Sequence, residues 1–361
     1  MTFSKILIAN RGEIAIRIAR AAADLEIKTL SVYSEDDANS LHSQKTDESI
    51  ALDGRGVRAY LDMAQIITVA KENHCDAIHP GYGFLSENAD FAAQCVENDI
   101  VFIGPSPETI ALFGDKVQAR LLAESINVPL VKGISEPVTL ETAADFFESL
   151  EGKPMLLKAA AGGGGRGMRI VHNTNEIAES LARATSESEQ AFGIGDIYVE
   201  ELIEKARHIE VQIAGDRSGE ILHFGDRDCS LQRRHQKLIE IAPAPALDES
   251  MRDNLIEASR SLAMAANYEG LGTFEFLVNT SDQEPFFAFI ETNARLQVEH
   301  TVSEEVLGVD LVQLQISLAQ GDLFTSMGIN QDVIGKPQGY AIQARVNMET
   351  MLADGTTKPS G

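Results

Sequence analysis

Short apolar runs alternate with amphipathic stretches through the first third of the chain. Residues 5–10 form one such run, after which Ile14, Ile18, Ala21 and Ala22 recur at helical spacing as far as Leu25. Residues 29–33 make a second run, followed by the polar Glu35, Asp36 and Asp37. A helix over 60–75, a strand at Ala77 and Ile78, a helix through Cys95 and a strand over 100–103 continue the alternation. Strand, helix, strand in this order predicts a doubly wound sheet, closing as a first domain near Gly114. Within it, residues 79–88 (HPGYGFLSEN) read as a glycine- and proline-bearing loop, with Ser86 or Asn88 a cap for the next helix.

The pattern then changes. A helix from Lys116 to about Glu124 reads as a link, residues 131–138 are turn-rich, and residues 140–150 are helical. A strand over 155–158 and another over 169–171 enclose a loop with five glycines in six residues, Gly162, Gly163, Gly164, Gly165 and Gly167. No helix follows the glycines directly, so this is not a Walker loop. Its freedom from side chains lets backbone N–H groups approach phosphate oxygens, which suits a lid better than a linker interrupting an apolar hairpin. Strands over 197–203 and 207–214 follow, the second with His208 and Glu210 opposite Ile209 and Val211. After an amphipathic helix over 249–267 come two runs, 272–278 and 286–290, joined by a polar hairpin loop. The first places Glu275 between Phe274 and Phe276; the second runs into Glu291 and Asn293. If the chain stays extended, Glu291, Asn293, Arg295, Gln297 and Glu299 share one face. The hairpin brings Glu275 towards Glu291, and two like charges facing across a sheet ask for a cation, with oxygen ligands favouring magnesium or manganese. A helix over 309–318, a strand over 339–347 carrying Arg345, and a polar, irregular end complete the pattern.

Charge sharpens this picture. With 30 Lys and Arg against 55 Asp and Glu, a net charge of −25 opposes any nucleic-acid or anionic-membrane surface. Anionic substrates would therefore need locally concentrated positive charge, and Arg227, Arg233, Arg234, His235 and Lys237 supply the densest cluster. The three cysteines, Cys75, Cys95 and Cys229, have neither disulfide nor zinc spacing and read as small buried hydrophobes in a reducing cytoplasm. The N-terminus enters a strand at once, without a signal-peptide layout, and no apolar run reaches membrane-spanning length.

A glycine lid, lysines at strand ends, paired carboxylates and an anion pocket, with neither a Walker motif nor a kinase loop, point to ATP used by an ATP-grasp architecture. The chain also resembles the biotin carboxylase family, in order and over residues 3–347: KILIANRGEIAIR, HPGYGFLSEN, FIGPSPETI with GDK, KAAAGGGGRGMR, RDCSLQRRHQK with EIAPAP, GTFEF and ETNARLQVEH. The resemblance implies an α/β chain with an N-terminal Rossmann-like domain (1–114), an ATP-grasp lid subdomain (115–203) and an ATP-grasp catalytic subdomain (204–361). It implies ATP- and bicarbonate-dependent carboxylation of biotin through carboxyphosphate, the first half-reaction of a biotin-dependent (acyl-CoA type) carboxylase.

By motif, Lys116, Lys158, His208, Gln232, His235 and the five lid glycines would contact ATP, with Glu200 and the backbone near Ile203 at the adenine. Glu275 and Glu291 would hold magnesium or manganese, with Asn293 close by. Lys237, Arg295, Gln297 and the Val298 backbone would cradle bicarbonate, Glu299 would be the general base, and Arg345 would stabilise the biotin enolate. A biotin carboxyl carrier and a carboxyltransferase are the implied partners, and Arg17 and Arg20 match positions near a homodimer contact. Thr292, Ala294 and Thr301 stand where the family more often has Met, Thr and Pro, and Asn347-Met348-Glu349-Thr350 replaces Asn-Ala-Glu-Asp. The family's domain continues past the segment matching Lys358-Pro359-Ser360-Gly361, so the chain is expected to lack the end of the third subdomain. Two other readings compete: a related carbamoyl-phosphate or purine-pathway ATP-grasp ligase, which RRHQK and Arg345 oppose, and a silent nucleotide-binding fragment, which the intact motifs oppose.

Overall fold

The structure, a computed structural model, describes residues 2–160, 168–233, 236–279, 285–354 and 356–360. The five lid glycines, Arg234 and His235 lie outside the described residues. Strands β1 (Lys5–Ile8), β2 (Lys28–Tyr33), β3 (Glu48–Ala51), β4 (Ala77–His79) and β5 (Val101–Phe102) form a parallel sheet in the order β3-β2-β1-β4-β5. This is the doubly wound arrangement that the alternation predicts. The central strands β1 and β4 are short and largely buried because helices cover the sheet, whereas the edge strand β3 stays mostly exposed. Helix α1 (Gly12–Asp24) buries Ile14, Ala15, Ile18, Ala19, Ala21 and Ala22 against it. Of the two candidate caps, Asn88 accepts the Phe91 N–H and starts α2 (Ala89–Glu97).

A second sheet is antiparallel and small: β6 (Gly133–Ile134), β7 (Met155–Ala159), β8 (Arg169–Val171) and β9 (Ile197–Glu201), in the order β6-β9-β7-β8. It has a core of its own, built from Phe146, Phe147, Met155, Leu157, Ile177 and Val199 among others. Part of that core comes from α3 (Ile177–Phe192), a helix that the sequence pattern did not reveal because its polar faces dominate.

The third sheet is the largest, six antiparallel strands in the order β14-β13-β10-β11-β12-β15. They are β10 (Arg207–Gly215), β11 (Ile221–Arg233), β12 (Gln236–Ala242), β13 (Gly270–Asn279), β14 (Phe286–Asn293) and β15 (Ala341–Ala344). Strands β11 and β12 were hidden in the sequence for a physical reason. Asp226, Arg227 and Asp228 interrupt the apolar alternation, yet Asp226 and Arg227 are buried by pairing with Arg252 and Glu210. The first and third sheets share cores. Ile209, Val211, Phe274, Phe276 and Phe289 pack in one cluster with Leu7, Ile78, Phe91 and Phe113. Phe113 meets Phe274 edge-on with ring centroids 5.6 Å apart.

Because Phe274 is fully buried at this junction, Phe274→Ala is expected to lower stability by about 3–5 kcal/mol. Chemical denaturation of the purified variant checks this; a loss below about 1 kcal/mol would show that the two sheets are not joined through this ring.

Candidate active site

A cleft of about 690 Å³ is lined by residues of both the small and the large antiparallel sheets. Lys158 enters it from β7, Glu200 to Ile203 from the end of β9, His208 from β10, Gln232 from β11, Lys237 from β12 and Glu275 from β13. Glu291 and Asn293 enter from β14, and Lys116, Arg295, Gln297, Val298, Glu299 and Arg345 complete the wall. The structure thus brings to one cavity every described residue that the family resemblance marked for the site, but not Arg227 and Arg233 of the basic cluster.

The wall after β14 is not built as expected. The strand ends at Asn293, and Val298 and Glu299 lie in a turn that leads into α4 (His300–Leu307). Glu291, Asn293, Arg295, Gln297 and Glu299 still reach the cleft, but through a shaped loop rather than by simple strand alternation. Leu296, fully buried, and Ala294 pin the loop to the core between them. The turn is also tied from beneath, with His300 Nδ1 2.7 Å from the Gln297 carbonyl oxygen.

Glu275 and Glu291 are register partners across β13 and β14, as the hairpin reading required. Their charges already have protein partners. Glu275 Oε1 accepts from Lys237 at 2.8 Å, Asn293 at 2.7 Å and Gln297 at 2.8 Å, and Glu275 Oε2 lies 2.7 Å from His208 Nε2. Glu291 lies 3.5 Å from Lys116 Nζ. Burial alone would raise the Glu275 carboxyl, but Lys237 and His208 hold it well below the usual carboxylate range. His208 is raised in return: burial opposes its charge, and Glu275 more than offsets that. So repulsion between the two glutamates does not by itself demand a metal. Glu275 and Glu291, in register, with Asn293 two residues on, nonetheless offer the oxygen ligands that a hard divalent cation prefers.

Lys237 is the hub. Its ammonium reaches Glu210 at 2.5 Å, Glu299 at 2.7 Å and Glu275 at 2.8 Å. Desolvation opposes its charge, but these carboxylates raise its pKa well above the ordinary lysine value. Glu299 is bound on its other oxygen by Arg345 Nη2 at 2.9 Å, while Arg345 Nε holds Glu240 at 2.5 Å. Burial would raise the Glu299 carboxyl; Lys237, Arg227 and Arg345 bring it down to about 2. At the far end Lys158 pairs with Glu200 at 2.7 Å, and Arg120 takes the other Glu200 oxygen. Both oxygens of Glu200 are therefore engaged, and its immediate task is to hold Lys158 in place.

The anion-binding cluster needs correction. Arg227 is fully buried beneath the cleft and does not line it, bonded to Glu210, Gln212, Thr273, Gln297 and Ser303. It is the register partner of Glu210, itself the register partner of Glu275, so it shares the cleft side of the sheet but is covered by its own bonding partners. Arg233 pairs with Glu349. Arg17, expected near a dimer contact, pairs within the chain with Glu304 at 2.8 Å and Asp310 at 2.7 Å. Residues that the sequence reading passed over are Glu210, Glu240 and Arg120. Each is buried, and each is charged in an otherwise apolar context. That is the one signal that could have found them. All three cysteines are buried thiols, as expected.

Comparison with known proteins follows the geometry closely. A family model described as "Biotin carboxylase, N-terminal domain" matches residues 2–110, and one described as "Carbamoyl-phosphate synthase L chain, ATP binding domain" matches residues 115–326. Human mitochondrial pyruvate carboxylase is 52% identical over 348 residues, covering 96% of this chain and 29% of that protein. The Bacillus subtilis pyruvate carboxylase is 50% identical, covering 96% of this chain and 30% of that protein. The chain thus spans about three-tenths of the length of the curated relatives it matches. Among solved structures, a Campylobacter jejuni biotin carboxylase in a β,γ-ATP complex superposes with TM-score 0.93 at 44% identity, covering 98% of this chain and 77% of that one. The biotin carboxylase domain dimer of Hydrogenobacter thermophilus 2-oxoglutarate carboxylase, in complex with MgADP, ADP and bicarbonate, gives TM-score 0.90 at 41% identity, covering 97% and 76%. An N-terminal domain, an ATP-grasp domain and whole-chain superposition agree, and the chain belongs to the biotin carboxylase family of ATP-dependent ligases.

Proposed function

We propose that this chain activates bicarbonate with ATP and passes the carboxyl group to biotin on a carrier protein or domain. The observation that carries the proposal is Glu299 suspended between Lys237 and Arg345, beside Arg295 and Gln297, in the wall of a cleft that also contains Lys158. A base flanked by exchangeable cations suits removal of a proton from an anion. With Lys237, Arg227 and Arg345 holding it at about 2, Glu299 is too weak a base for bicarbonate. When a bicarbonate anion draws Lys237 and Arg345 towards itself, Glu299 loses the charges that depress it, and its basicity rises. The deprotonated bicarbonate oxygen then attacks the γ-phosphorus of ATP, the bond to the β,γ-bridging oxygen breaks, and ADP leaves with carboxyphosphate formed.

Lys116, Lys158, His208, Gln232, His235 and the glycines Gly162 to Gly167 would meet the nucleotide, with the backbone near Ile203 at the base. Magnesium or manganese, held by Glu275 and Glu291 with Asn293 close by, would neutralise phosphate charge. Carboxyphosphate would then break down to CO2 and phosphate, the phosphate would take the ureido N–H proton of biotin, and Arg345 would stabilise the resulting enolate oxygen as the nitrogen attacks the carbon of CO2. We assign the domains as 1–114, 115–203 and 204–361, the setting as the cytoplasm, and the partners as a biotin carrier and a carboxyltransferase, with dimerisation of this chain part of the same proposal. Pyruvate, 2-oxoglutarate and long-chain acyl-CoA carboxylases all stand among the relatives, so a 2-oxo acid fits as the final acceptor beside the expected acyl-CoA. No helix among the described residues is long and apolar enough to cross a membrane.

Bicarbonate-dependent ADP release, measured with and without free biotin, tests the function: stimulation by biotin supports it, and ATP binding without turnover overturns it. Glu299→Gln is expected to lower kcat on the order of 10²–10⁴-fold with ATP affinity unchanged. Near-normal turnover in that variant would remove Glu299 as the base. Lys237→Gln takes away the first cation that holds Glu299 down, so Glu299 is expected to titrate at higher pH. The residual activity of this variant should then fall off on the acid side at least about one pH unit above the wild-type limb, a tenfold change in proton affinity. An acid limb that stays in place would refute the coupling.

A further inference from the structure

The anion seat depends on Arg295, and Arg295 is held from another part of the molecule. Its Nη2 donates to Asn293 Oδ1 at 2.7 Å and its Nη1 to the Leu296 carbonyl at 3.2 Å, both within its own loop. The remaining nitrogen, Nε, lies 2.9 Å from Oε2 of Glu87, which comes from the first domain. Glu87 does not line the cleft. Burial opposes the charge on Arg295, and Glu87 is the first of the acids that offset it, ahead of Glu299 and Glu275.

The loop that carries Glu87 is built to hold still. Asn10, at the end of β1, donates to the carbonyls of Pro80 at 2.7 Å and Tyr82 at 2.9 Å. Gly81 has φ +66°, and a Cβ there would stand 2.9 Å from Asn10 Nδ2, so the clamp needs glycine. Phe84 adopts φ 45°, unusual for an aromatic residue, and its ring stacks on Tyr60 with centroids 5.1 Å apart. Leu85 and Ser86 are buried, and Asn88 caps the following helix. Glu87 therefore projects from a fixed platform, and a fixed platform transmits position.

We propose that Glu87 is a positioning residue that holds the Arg295 guanidinium in place by charge, and that through this ion pair the first domain tunes bicarbonate affinity. The proposal rests on the functional reading above. The two Nη hydrogen bonds set the plane of the guanidinium, and the Nε–Glu87 contact, close but not aligned as a hydrogen bond, adds an electrostatic anchor on its third side. Without Glu87 the buried charge loses that anchor and can shift relative to a bound anion. The loss should fall on bicarbonate and not on ATP, whose phosphates meet other residues.

Glu87→Gln, which keeps shape and removes charge, is expected to raise KM for bicarbonate about tenfold, with KM for ATP and kcat within about twofold of wild type. Calorimetric titration of bicarbonate in the presence of ADP, which needs no turnover, should show the same weakening. In an Arg295→Met background, which removes the charge, the Glu87→Gln change should add nothing, because no charge is left to hold. Unchanged bicarbonate KM and binding in Glu87→Gln overturn the proposal, as does a parallel rise in KM for ATP, which would mark a general structural defect. A wild-type protein that binds bicarbonate but releases no ADP defeats the functional reading alone, since weaker binding by Glu87→Gln would still support the pair.

Discussion

The ammonium of Lys237 is the point on which the site depends. Four charged groups, Lys237, Glu210, Glu275 and Glu299, meet there with little access to water. Burying any one of those carboxylates alone would cost several kcal/mol. One lysine shared among three carboxylates removes part of that cost and leaves excess negative charge. Two further cations, Arg227 behind Glu210 and Arg345 behind Glu299, offset it from outside. The site is thus a lattice of alternating charge, and each member is fixed by at least one partner of opposite sign.

Such a lattice explains why the large sheet contains charge where a core is expected. Arg227 binds five side chains drawn from β10, β13, α4 and the loop after β14. It does not touch the cleft, yet it orients Glu210, which orients Lys237, and Gln297, which reaches Glu275. Removing one partner of a buried set leaves the other uncompensated, so substitutions beneath the site should be felt within it. Arg120 plays the same part at the other end, tying the helix of the chain's linking segment (Lys116–Ser125) to Glu200 and so to Lys158.

The sheets around this lattice divide the mechanical roles. The first and third share aromatic and aliphatic cores, so the loop at residues 79–88 and the loop after β14 belong to one packed body. The small sheet carries Lys158 and Glu200 on a core of its own. Arg295 and Gln297 are therefore built on the shared body, and Lys158 is built on the small sheet.

Local sequence was enough for the doubly wound sheet, for the hairpin that puts Glu275 opposite Glu291, and for the polar face from Glu291 to Glu299, while the other residues that converge came from family resemblance. Period-two and period-3.6 patterns report which face of an element is dry, and charged residues on otherwise dry elements stand out. Family resemblance added bicarbonate and biotin, which no spacing in the chain could name. Only the tertiary structure decided which charges are free to meet a ligand. Lys237 and Arg227 are equally basic in sequence and lie ten positions apart, but one faces the cleft and the other is sealed beneath it. Glu87 and Arg295 are far apart along the chain, and nothing local predicts that they touch. Charge is written at single positions, whereas compensation of charge is a property of pairs, and pairs distant in sequence exist only once the sheets have packed.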